Sequence, residues 1–269
     1  IFSAANFSLS FVRVYACIFH DNRKISAKRK QFYILTRTEI ESSDVVYKTE
    51  VFSDWIAIPD FSSDDPTIRE GAFAFDASKI AGIARRFFEW KIASEIANVD
   101  MIVMDGTLQS AISGEKEVAD TAFRNATNNG IFFTALAKTS SLVTTTGNDL
   151  LAVLKRRGPQ KWVYHPVADI ASSSHAAEMC AIKLHEHARH AFRFEILKDQ
   201  EEQLKDAVSL LAGNSNDYRF PGYPYGLVDA DRFARITERE RIYFRSLFAA
   251  LNIDESSNDA HGVLNRIFR

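Results

Sequence analysis

Glu89, Glu95, Asp105, Asp229 and Asp231 stand at the ends or on the faces of apolar elements, where carboxylate chemistry could be organised. Hard cations such as Mg²⁺ or Mn²⁺ take oxygen ligands, so a site for them is built from Asp and Glu rather than Cys. Two such ions about 4 Å apart can activate a water and stabilise the leaving oxygen of a phosphodiester. Asp105 ends the apolar run Met101–Met104 and precedes Gly106-Thr107. Chains of the α/β class bind ligands beyond the carboxyl ends of strands, and Gly106 lets the backbone turn there. An Asp-Gly pair is equally a plain turn. Glu89 and Glu95 share the helical stretch Asp76–Ala97, whose periodicity does not choose between them. Asp229 and Asp231 follow the rigid Gly222-Tyr223-Pro224-Tyr225-Gly226 segment, either as ligands or as acids favoured near a helix start.

Other chemistries find less support. His185, His187 and His190 lack a Cys or acidic partner at zinc spacing and read as a polar strand or turn. Neither a Walker loop nor a dinucleotide-binding glycine loop is present, which argues against nucleotide hydrolysis by this chain. No hydrolase elbow surrounds Ser172-Ser173-Ser174-His175. Cys17 and Cys180 lie far apart in apolar contexts, as buried thiols of a reducing, cytoplasmic protein would. The net charge of -2 gives no global attraction to nucleic acid. Contacts to phosphate must then come from local clusters such as Lys155-Arg156-Arg157 or Arg232–Arg245, the first of which is also a plain cationic helix end. No apolar run reaches the roughly 20 residues of a membrane span.

The elements that must position these residues can be read along the chain. Phe11–Phe19, Gln31–Thr38 and Asp44–Ser53 are rich in aromatic and β-branched residues and predict an antiparallel meander, with the polar His20–Lys30 between the first two. Ile80, Ile83, Ala84, Phe87, Phe88 and Ile92 recur at helical spacing after a candidate N-cap, Asp76. Val99–Met104 and Ile131–Leu136 read as strands buried on both faces. Glu115–Asn128 and Asn148–Arg157 read as helices, Trp162–Tyr164, Glu178–Leu184 and His190–Ile196 as strands, and Lys198–Leu211 and Glu238–Leu251 as late helices. The expectation is a single α/β domain over residues 1–269: an RNase H-like mixed sheet flanked by helices, with C-terminal helical additions. With 46% hydrophobic residues the chain can bury such a core.

Four stretches, in order, resemble the NurA nuclease family. They are Val103-Met104-Asp105-Gly106-Thr107-Leu108, Phe132–Ser140 ending in Lys138-Thr139-Ser140, the pair Ala181–His185 and Phe192–Glu195, and Gly222–Leu227 with Ala230-Asp231-Arg232 and Ile236-Thr237. The resemblance spans roughly residues 75–250. It implies a homodimeric nuclease that needs Mn²⁺ or Mg²⁺ and cuts single- and double-stranded DNA as a 5′-to-3′ exonuclease and endonuclease. It also implies a hexameric HerA-type ATPase as partner. Residue by residue, Asp105 matches the acid after the central strand and Glu89 the helix glutamate before it, in preference to Glu95. Tyr223 matches the tyrosine of the late signature, Asp231 a position held by His or Asp, and Lys138 the lysine after the next strand. Glu89, Asp105 and Asp231 are thereby the expected metal ligands. The family's first acid, in an Asp-Gly-Ser ending the first strand, has no match. Either Asn6 is its degenerate counterpart, giving a weakened homologue that serves as a DNA-channel or interaction subunit, or the strand lies on the N-terminal side of Ile1. The second reading is preferred, and a missing N-terminal segment is expected.

Overall fold

The computed structural model describes residues 2–3, 7–69, 77–168, 172 and 174–250, of which 2–3 and 249–250 are described by backbone alone. Asp76 and Asn6 lie outside the described residues. The described residues form two five-stranded sheets. The first is an antiparallel meander of β1 (Phe2–Ser3), β2 (Phe7–His20), β3 (Arg23–Glu41), β4 (Asp44–Val51) and β5 (Phe61–Ser62). The second, mixed sheet runs in the order β6-β7-β10-β9-β8, where β6 is Met101–Asp105, β7 Phe132–Ala137, β8 Trp162–Tyr164, β9 Ala177–Lys183 and β10 Phe192–Leu197. Among the described strands only β6 and β7 pair in parallel, with the helix α2 (Glu115–Asn128) as their crossover connection. This is the expected RNase H-like mixed sheet with flanking helices.

The meander strands are longer than the hydrophobic pattern predicts. His20–Lys30 is strand except for the turn at Asp21 and Asn22, whose φ values of 45° and 61° are those of a two-residue hairpin turn that Asp and Asn tolerate. The helix expected from Asp76 is shorter: a 3₁₀ turn at Ala77–Lys79 leads into α1, Ile80–Ser94. Its apolar residues split between two cores. Ile80, Ile83, Ala84, Phe87, Phe88 and Ile92 pack on the meander, and Trp90 and Ala93 pack with α2 and the second sheet. A third core joins β7, β9 and β10 to α4 (Leu204–Gly213) and Leu227 of α5 (Tyr225–Ala234). The remaining helices are α3, Leu150–Arg157, and α6, Glu238–Ala250.

One expectation is overturned in a way that matters for the site. Val99–Met104 reads as a doubly buried strand, yet β6 is an edge strand and only Met104 is buried. Its free edge lines a cavity of about 670 Å³, shared with β2 from Arg13 to His20, with α1 and with α5. Beyond Leu9, that edge of β2 has no strand partner among the described residues. The long apolar run thus serves a cavity rather than a second neighbour strand. Among the described residues no helix is long and apolar enough to cross a membrane.

Candidate active site

Asp105 is the last residue of β6, and its side chain stands half exposed at the cavity rim. Gly106 follows with φ 116°, a conformation L side chains rarely adopt, and its N–H donates to Leu136 O at 3.1 Å. The Asp-Gly pair is therefore a turn, and one that aims Asp105 at the cavity. Lys138, just past β7, donates to Asp105 Oδ2 at 3.2 Å. The parallel register sets this pairing, because Asp105 lies opposite Leu136, two residues before Lys138.

Tyr223 approaches the same group from the other side. Gly222 has φ 82°, and a Cβ there would lie 2.6 Å from the Ala188 Cβ and 3.2 Å from the His185 Cβ. Only glycine lets the chain press against that turn and seat Tyr223 beside Phe192, ring centroids 5.3 Å apart. Pro224 then caps α5. Lys138 Nζ sits 5.5 Å from the Tyr223 ring centre. Burial pushes the Tyr223 phenol up to about 12, the charges of Asp105 and Asp231 push the same way, and Lys138 opposes them. Its hydroxyl is shut off from solvent, and among the described residues it has no hydrogen-bond partner of good geometry, Lys138 being the nearby cation that acts on it. An orphaned buried hydroxyl beside a carboxylate is costly unless some further group completes it. Burial lowers the pKa of Lys138, but Tyr223 and Asp105 outweigh it and hold the ammonium above its ordinary value.

Glu89 and Asp231 line the same cavity. Glu89, half buried on α1, faces Arg85 one turn earlier at 3.4 Å. Burial raises its pKa, Arg85 and Arg86 oppose this, and Asp105 and Glu115 add to it. Glu95 is committed elsewhere: it pairs with Lys28 of β3 and Lys91 and accepts from Trp55 Nε1 at 2.5 Å. Of the two glutamates that periodicity left open, Glu89 lines the cavity and Glu95 does not. The two late acids also separate. Asp229 is 7% exposed and pairs with Lys24 at 2.9 Å, tying α5 to the meander. Asp231 is exposed and faces Arg235 at 2.8 Å. Neither sits in the first turn of α5, so neither is a helix-start acid.

Oxygen-rich donors of this kind fit a hard divalent ion in chemistry, and the orphaned Tyr223 hydroxyl is a further open partner. Each of the three carboxylates is, however, ion-paired with a neighbouring cation. Among the described residues, the one trio of potential ligand atoms within 4.8 Å of one another is His165, Glu178 and Glu201. That trio involves β9, three strands across the sheet from β6. The structure brings Glu89, Asp105 and Asp231 to one cavity without converging them to ligand distance. His185 and His187 lie with ring centroids 5.5 Å apart and tilted by 50° in the turn after β9, and belong to no such trio. Lys155, Arg156 and Arg157 form the cationic end of α3.

Sequence reasoning missed two buried acids behind the rim, Glu115 and Glu195, with Arg86 and Arg193 as their partners. For Glu195 a signal was available, since it is an acid inside the apolar strand Phe192–Leu197.

Comparison with known proteins bears on these features. The NurA domain profile matches residues 32–236. The crystal structure of the NurA nuclease from Sulfolobus solfataricus is similar over 93% of this chain and 86% of its own, at 14% identity and a TM-score of 0.50. Endonuclease V of Ciona intestinalis, in complex with a 24mer DNA, aligns over 90% of this chain and 87% of its own at 11% identity, with a TM-score of only 0.34. No curated protein sequence matches. With a profile match over most of its length, the chain belongs to the NurA domain family.

Proposed function

We propose that this chain is a nuclease that hydrolyses DNA phosphodiesters with a divalent metal at the β6 rim. The observation that carries the reading is the grouping of Asp105, Lys138 and Tyr223 on the lip of a cavity that Glu89 and Asp231 also line. Glu89, Asp105 and Asp231 would hold Mn²⁺ or Mg²⁺, which supplies a polarised water and a counter-charge for the leaving oxygen. Lys138, cationic at neutral pH, neutralises Asp105 when the site is empty and offers a point charge to a phosphate when it is filled. Tyr223, a neutral phenol at that pH, borders Lys138 and Asp105 from a buried position and transfers no proton itself. The finer features implied by family membership belong to the same proposal. They are 5′-to-3′ exonuclease and endonuclease action, a homodimer, a HerA-type ATPase partner and a cytoplasmic setting.

The test is degradation of linear DNA with Mn²⁺ by the full-length chain and by Asp105→Ala. A loss of at least about 100-fold is expected, since removing one preorganised charge from an active site costs on that order. Equal cutting by both would sink the assignment. A second reading, a catalytically weakened subunit that guides DNA for an ATPase, is favoured by the ion pairs that occupy all three carboxylates. It predicts DNA binding without Mn²⁺-dependent cutting in the full-length protein.

A further inference from the structure

The segment after Asp105 is gripped by charged side chains from both sides. Gly106 N is held by Leu136 O, Gln109 bridges to His175, and Ser110 N donates to Ser174 O at 2.8 Å. On one side Arg86 donates to Thr107 O at 2.5 Å and to Gln109 O at 2.9 Å. Arg86 is itself fixed by Glu115, which also accepts from Trp90 Nε1. On the other side stands Glu195, fully buried in β10. Its Oε2 accepts from Leu108 N at 2.7 Å and lies 2.9 Å from His175 Nε2, while its Oε1 accepts from Arg193 Nε at 2.6 Å.

A carboxylate in the middle of a core strand is an expensive way to satisfy one backbone N–H. Removing such an ion from water costs several kcal/mol unless every oxygen is well paired. Here three donors reach it from three separate segments, at residues 108, 175 and 193. Bonds to an ionised acceptor are shorter and stiffer than neutral ones. What this arrangement fixes is the Thr107-Leu108 backbone, directly behind an Asp105 whose own side chain has Lys138 as its one ion-pair partner.

We propose that Glu195 is a positioning residue: acting through Leu108 N, with Arg193 and His175 bracing it, it holds Asp105 in the orientation that receives the metal. The proposal rests on the metal role of Asp105 given above. Outer groups that orient a metal ligand typically change metal affinity about 10–100-fold when altered. Glu195→Gln keeps shape and one acceptor oxygen but removes the charge that unites the three donors.

The experiment compares wild type, Glu195→Gln and Asp105→Ala in full-length protein by three readouts. These are Mn²⁺ affinity by calorimetry without DNA, amide exchange of Leu108, and the Mn²⁺ concentration for half-maximal DNA cutting. The expected result for Glu195→Gln is Mn²⁺ affinity at least about tenfold weaker, Leu108 exchange at least about tenfold faster, and a half-maximal point raised to match. Excess Mn²⁺ should restore most of the cutting rate. Loss of folded protein alone would lower the rate at every Mn²⁺ concentration without moving the half-maximal point. Wild-type Mn²⁺ affinity in Glu195→Gln overturns the proposal while Asp105→Ala is inactive, whereas an Asp105→Ala that binds Mn²⁺ and cuts normally removes the underlying reading instead. If Glu195→Gln does not fold, Arg193→Lys decides: it loosens the brace without stranding the acid, and must weaken Mn²⁺ binding in the same sense.

Discussion

Glu115 and Glu195 are 2% and 0% exposed, and both oxygens of each are engaged by donors from separate segments. Glu89, Asp105 and Asp231 stand at the cavity, each facing a single cation at 2.8–3.4 Å. The difference teaches how one protein uses the same functional group twice. A buried carboxylate must be fully paired, and once paired it becomes part of the frame. A half-exposed rim carboxylate such as Asp105 or Asp231 can exchange its partner for a ligand at little cost, because such surface pairs contribute only about 0–1 kcal/mol, whereas Glu89 is the more desolvated of the three.

The comparison breaks most visibly under truncation of one member of each set. Glu115→Ala strands Arg86, which is largely buried, and leaves Trp90 Nε1 and Ile112 N without their acceptor. Breaking a buried pair on one side costs about 3–5 kcal/mol, so urea unfolding should show a midpoint shift of that size. Asp105→Ala should lie within about 0.5 kcal/mol of wild type by the same measurement, as surface substitutions do. Equal destabilisation by the two variants would mean that Asp105 is frame rather than site.

These roles were unequally legible in the sequence. Asp105 was visible because a strand-sized apolar run ends on it, and the glycine after it marks a turn. Tyr223 and Lys138 were visible through motif order, although nothing in their spacing shows that β6-β7 register and the pressing of Gly222 on Ala188 bring them together. Glu89 could not be told from Glu95 by periodicity, since the contacts that engage Glu95, Lys28 and Trp55, come from far away in the chain. The same holds for Asp229 against Asp231, separated only by the reach of Lys24 from β3. The meander strands were read short because their distal halves carry few buried residues: β3 is exposed or half exposed from Arg23 to Gln31. The β6 edge escaped notice for the opposite reason, because a strand beside an apolar cavity and one between two neighbour strands present the same run of residues.

The two aspartates of α5 give a smaller effect that sharpens the same distinction. Asp229→Asn removes the charge that holds Lys24 and should lower Tm by a few degrees, while cutting stays within about twofold of wild type. Asp231→Asn should leave Tm within about a degree and reduce cutting at least about tenfold. Reversal of this pattern, with Asp229 needed for cutting and Asp231 dispensable, would move the site one residue pair along the helix.

The smallest effect lies at the Arg13 end of the cavity, where Arg13, largely buried on β2, pairs with Glu240 of α6 and donates to Arg235 O. Arg13, followed by the Thr237 backbone, holds the Glu240 carboxyl at about 2, against an ordinary value of 4.5. Because the folded pKa is lowered, the stabilisation is fully present above about pH 4.5 and is lost as the pH falls through about 2. Glu240→Gln should therefore melt below wild type at pH 6, and the two proteins should converge as the pH approaches 2. This pair resembles the frame in its partner, a buried guanidinium, and the rim in its exposure, since the Glu240 side chain is 36% exposed. Solvent screening should accordingly make its contribution smaller than that of Glu115. A Tm difference that persists unchanged to pH 2 would show that Glu240 acts through its hydrogen bonds to Thr237, which Gln replaces imperfectly, and not through the charge of Arg13.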